Sequence, residues 1–65
     1  MNTTTIGHAW HLNPDTGVLH VVTGTLAHGY SVDTYVQGIA RAIVRERVRD
    51  LYSAIVRFMQ KTGRL

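Results

Sequence analysis

Cysteine is absent from the chain. No disulfide can staple the fold and no thiolate site can stand in for a core, and the absence suits a reducing compartment. Long apolar runs are also missing: no stretch approaches the roughly 20 residues that a membrane-spanning helix needs. The start, MNTTTIGHAW, lacks the basic head and apolar run of a secretion signal, so a cytoplasmic protein is expected, with no membrane contact. Without that signal, the glycosylation pattern at Asn2-Thr3-Thr4 carries no meaning. Paired carboxylates are lacking, and no Ser or Thr has a general base beside it in sequence, so neither an enzyme nor a cofactor is expected. There is no Gly-rich phosphate loop, no helix-turn-helix turn and no aromatic platform of the RNA-binding kind.

Basic residues are missing from the first half. Residues 1–30 hold no Lys or Arg and a single acid, Asp15, whereas residues 31–65 hold all seven bases and three acids, Asp33, Glu46 and Asp50. Six of the seven bases are Arg. With 65 residues the chain is one small domain, 1–65, near the size at which a lone core is marginal. Self-association is the simplest way to help such a core.

The fold class expected is α+β: an N-terminal antiparallel β-hairpin over about 4–12 and 18–26, then one long amphipathic helix over about 31–62, the whole homo-oligomeric. Residues 1–29 form the hairpin and its connection, and 30–65 the helical segment. The hairpin rests on Asn13-Pro14-Asp15-Thr16-Gly17, in which Pro14 pre-sets φ, Asn13 and Asp15 bond their own backbone, and Gly17 closes the loop. Closure by Asn13 and Val18 sets His11 opposite His20, Trp10 opposite Val21, Leu12 opposite Leu19 and Ile6 opposite Thr25. Gly7 and Gly24 fall opposite one another, and Ala27-His28-Gly29 connects to the helix.

The helix rests on Ser31 as N-cap, Asp33 at the positive end of its dipole, a Tyr30–Tyr35 staple, and Lys61 with Gly63 at the far end. Its apolar stripe changes phase. At 100° per residue, Val32, Tyr35, Val36, Ile39 and Ile43 cluster near about 10°, and Val48, Leu51, Tyr52, Ile55 and Met59 near about 150°. Either a continuous helix touches two surfaces, or it kinks or breaks near 45–49 and turns back. The lack of a turn residue in RERVRD favours continuity.

A helix of about 31 residues spans about 47 Å, and a ribbon of about eight-residue strands only about 27 Å. A stripe left uncovered must find a partner, so Val48, Leu51, Tyr52, Ile55 and Met59 form the expected oligomer interface. The two edges of the ribbon can pair with a second hairpin to complete a four-stranded sheet.

Arg41, Arg45 and Arg49 make an i, i+4, i+8 row able to follow phosphates or meet an acidic protein surface. Glu46 and Asp50 sit at ion-pairing spacing from Arg49 and Arg47. The cross-strand pair His11–His20 offers two imidazoles to a metal but no third ligand, so no metal site is expected from them. The function expected is that of a small non-catalytic homo-oligomer which binds and modulates or inhibits another protein. Small Cys-free, Arg-rich chains of this kind are common among phage and plasmid accessory proteins. The alternative is a DNA- or RNA-binding regulator using the basic helix face.

Overall fold

The computed structural model describes residues 7–65. Four strands form one antiparallel sheet in sequence order: β1 (Ala9–Asn13), β2 (Val18–Thr25), β3 (Gly29–Tyr35) and β4 (Val44–Val48). A single helix, α1 (Leu51–Lys61), follows and packs on one face of the sheet. The chain is therefore α+β, but residues 31–50, expected to be helical, carry two of its strands.

The first hairpin forms as its turn chemistry dictates. The Asp15 N–H donates to Asn13 Oδ1 at 2.9 Å, and the Gly17 N–H to the Asn13 carbonyl at 2.8 Å. The register sets Trp10 opposite Val21, His11 opposite His20 and Leu12 opposite Leu19, as read from the loop. The part of the expected first strand over 4–6, with the Ile6–Thr25 pairing, lies outside the described residues.

The connection at Leu26–His28 is a second hairpin turn, not a lead into a helix. It pairs Thr25 with Gly29, and the His28 N–H is caught by Thr25 Oγ1 at 3.1 Å. Ser31 accordingly caps no helix; it lies mid-strand, and its hydroxyl donates to Asp33 Oδ1 at 2.8 Å. The segment 30–36 is dense in β-branched and aromatic residues, which suit a pleated and packed surface. Its spacing of Val32, Tyr35, Val36 and Ile39 also satisfies a helical period, and long-range pairing decides between the two. Gly38 contributes locally: it takes φ +87° at the third position of a turn closed by the Ile39 N–H on the Val36 carbonyl at 3.2 Å. Such a turn favours glycine there, whereas a helix interior disfavours it.

The change of apolar phase near 45–49 is where the chain leaves β4 for α1. Asp50, extended at φ −138° and ψ 167°, is the true N-cap, its carboxylate accepting the Ser53 N–H at 2.7 Å. At the other end the expected stop holds, with Lys61 in the last turn and Gly63 at φ +75°. There the Arg64 N–H reaches the Met59 carbonyl at 2.8 Å and the Gly63 N–H the Gln60 carbonyl at 3.3 Å, a Schellman arrangement.

Ala54 and Phe58 are the buried residues of α1 and pack with Val22, Tyr30 and Val32. Leu51, Ile55 and Met59 flank them at helical spacing, joined by Ala9 and Val48 from the sheet. The length argument for self-association thus loses its basis: an 11-residue helix spans about 16 Å and lies within the sheet of its own chain. The four-stranded sheet expected from two copies is completed by β3 and β4 of one.

Candidate functional site

Alternation along the strands gives the sheet a helix-covered face and an outer face. Ala9, Val22, Val32 and Glu46 form one register row toward α1; His11, His20, Thr34 and Val44 form the next. On the outer face the rows are Trp10, Val21, Asp33 and Arg45, then Leu12, Leu19 and Tyr35. Ile43, just before β4, donates its N–H to the Thr34 carbonyl at 2.8 Å, out of step with the β3–β4 ladder. No helix or strand among the described residues packs on this face, but its centre is not bare: Val21, Ser31 and Asp33 are buried there, and the chain at Gly7 passes close to Val21 and Thr23.

The outer face divides by character. At the β1 side Trp10 is 54% exposed and Leu12 49%. Leu12, Pro14, Leu19, Tyr35 and Val36 line a groove of about 360 Å³. At the β4 side stand Arg45 and Arg47. Between them lies a polar knot: Asp33 accepts from Arg45 Nε and Nη2, both at 3.1 Å, from Ser31 Oγ at 2.8 Å and from Thr23 Oγ1 at 3.3 Å. A carboxylate this buried would leave costly unpaired oxygens without such partners.

The Arg row read on a helix does not exist as a row. Arg45 lies on β4 and pairs with Asp33, Arg41 lies in the loop before β4, and Arg49 in the link to α1. Arg47, on the same face as Arg45, donates instead to the His28 carbonyl at 3.0 Å. Glu46 points toward α1 and pairs with Lys61 and Arg57, which in that order hold its carboxyl below the ordinary value. Asp50 caps the helix in place of pairing with Arg47, and the Ser53 N–H lowers its carboxyl likewise.

Of the residues expected to form an oligomer interface, Val48, Leu51, Ile55 and Met59 pack against their own core. Tyr52 alone of the five points outward, 79% exposed.

His11 and His20 do face each other, under the end of α1. Among the described residues no group of three or more potential metal ligands comes together, and the neighbour of this pair is Lys61, whose charge opposes a bound cation. His20 Nδ1 lies 3.0 Å from Thr34 Oγ1, a hydroxyl–imidazole pair that sequence order concealed. Thr34 is buried at 8% exposure beneath the helix, so that hydroxyl is not presented to a substrate. The feature sequence reasoning missed is the outer face itself, because its rows come from strands far apart in the chain. The one available signal was the coincidence of β-branched residues over 32–36 and 43–48 with a glycine between them.

No family model, no curated protein and no solved structure matches the chain.

Proposed function

We propose that the protein is a small non-catalytic binding protein that docks another protein on the outer face of its sheet and so modulates or inhibits it. The observation that carries this reading is the apolar row Leu12–Leu19–Tyr35 beside Trp10, with Trp10 and Leu12 about half exposed and no helix or strand among the described residues packed on it. Contiguous apolar surface of this kind, rimmed by charge, marks interaction sites on small proteins. Trp10, Tyr35 and the Arg residues at β4 are also the residue types that anchor protein interfaces. Self-association belongs to the same proposal, moved from the helix stripe to this face and to the sheet edges at β1 and β4.

A second reading has its own support. Trp10 and Arg45 share one register row, Tyr35 lies on the same face, and Arg41 and Arg49 join no ion pair among the described residues. An aromatic and guanidinium surface on a sheet can stack the bases of a single-stranded nucleic acid.

Affinity capture from the native host, with and without nuclease, tests both. The leading reading expects a nuclease-resistant protein partner that Leu12→Asp and Trp10→Asp lose while their circular dichroism matches the parent. Capture unaffected by either substitution defeats it. Light scattering on the parent and on Leu12→Asp measures the self-association.

A further inference from the structure

On the helix-covered side, a separate cleft of about 240 Å³ opens between the first hairpin and the end of α1. Its polar lining is His11, Asn13, Thr16, His20, Lys61 and Thr62. We propose that this cleft is a binding site for a small oxyanion, a phosphate or the phosphate group of a monoester, held by the two imidazoles, Lys61 and the hairpin loop.

The donor set is one-sided. Every titratable group lining the cleft is basic, and no carboxylate lines it. The acceptors of the loop are already taken: Asn13 Oδ1 accepts the Asp15 N–H, and Thr16 Oγ1 accepts the Val18 N–H at 3.3 Å. The Asn13 amide nitrogen and the Thr16 hydroxyl hydrogen have no acceptor among the described residues. His11 lines the cleft as well; its Nδ1 is shut off from solvent and has no hydrogen-bond partner among the described residues, which leaves Nε2 as the ring nitrogen able to meet a ligand. A water occupies about 30 Å³ in the liquid, so the cleft has room for a tetrahedral anion and a substituent on it.

The charges around His20 come from every neighbouring element. His11 stands opposite on β1, Lys61 reaches over from α1, and Glu46 on β4 lies beyond Lys61 and pairs with it; Thr34 on β3 offers its hydroxyl. Burial first, then Lys61, then His11, hold His20 below its ordinary value, and only Glu46 opposes them. The surroundings are thus short of negative charge. The negative end of α1 lies at the same rim, but the Phe58, Met59 and Gln60 carbonyls there are occupied by Thr62, Arg64 and Gly63 N–H groups. The site goes beyond the protein-docking face and stands on the opposite side of the sheet.

The test is an NMR titration of the full chain, following the His ring protons and the backbone amides. Inorganic phosphate is compared with sodium chloride at matched ionic strength. The expected result is saturable shifts at His11, His20, Lys61 and Thr62, stronger at pH 6 than at pH 7.5. The His20 midpoint rises by about one unit in phosphate, as an opposite charge nearby requires. A second arm uses phenyl phosphate: tighter binding assigns the site to a phosphorylated organic ligand, and equal binding to the free ion. His11→Gln, and independently Thr16→Ala in the exposed loop, weaken binding by about tenfold or more, the loss of one charge-assisted or directed bond. Shifts equal to those in chloride, or confined to Arg41 and Arg49, overturn the proposal.

Discussion

Asp33 on β3 and Arg45 on β4 face each other in register and join through two hydrogen bonds, the carboxylate 1% exposed and the guanidinium 54% exposed. One residue is thus sealed in the sheet and depends on the other, which keeps one side in water. Removing one partner of such a pair leaves a buried charge without compensation, and removing both does not. Asp33→Ala is expected to lose at least about 2 kcal/mol, since it breaks charge-assisted bonds and strands Ser31 and Thr23. Arg45→Ala also destabilises, and the double variant loses less than the two single losses combined. Urea melts of the four proteins measure this; strict additivity contradicts it.

Gly38 separates a strand–turn–strand over residues 30–48 from a helix by the sign of one number. In a helix interior Gly→Ala stabilises by about 1 kcal/mol. At φ +87°, with open space around it, Gly38→Ala is expected to destabilise by about 1 kcal/mol, because the added Cβ meets only backbone strain. Thermal or denaturant melts decide, and a stabilised variant sinks the turn.

Phe58 and Tyr52 lie on opposite sides of α1. Phe58→Ala is expected to cost about 3–5 kcal/mol, enough to unfold much of so small a domain. Tyr52→Ala stays within about 0.5 kcal/mol. Comparable losses for the two would mean that the helix buries a different face.

Acidification is expected to weaken the fold in two stages. The His20 value is lowered from 6.5 in the folded chain, so the unfolded chain binds the proton first and stability falls as pH drops below about 6.5. Glu46 and Asp50 are lowered from 4.5 and 3.8, so their contribution is present above those values and is lost as pH falls through the folded ones. Denaturant midpoints between pH 8 and pH 3 follow both stages. His20→Gln should flatten the upper stage alone; an unchanged profile would remove His20 from the account.

What was legible in the sequence was local. The loop Asn13–Gly17 set the first hairpin and its register, and Lys61 with Gly63 marked the end of α1. Leu51, Ile55 and Met59 kept a helical spacing because they share one surface. Residues 31–50 were misread because β3 is buried on both faces: Ser31 and Asp33 are polar yet inside, and their partners, Thr23 and Arg45, come from neighbouring strands. No alternation of polar and apolar residues survives there to reveal a strand. Arg and Glu in RERVRD favour a helix intrinsically, and pairing with β3 overrides that preference. The shifting apolar phase was the visible sign that one period could not describe both halves.

Photo-cross-linking from a single position tests the central claim most directly. A photoreactive residue at Trp10, on the outer face, is compared with one at Tyr52, on the exposed side of α1, in extract of the native host. The account predicts a discrete protein adduct from position 10 that Leu12→Asp abolishes, and none from position 52. An adduct from position 52 with nothing from position 10 would contradict it.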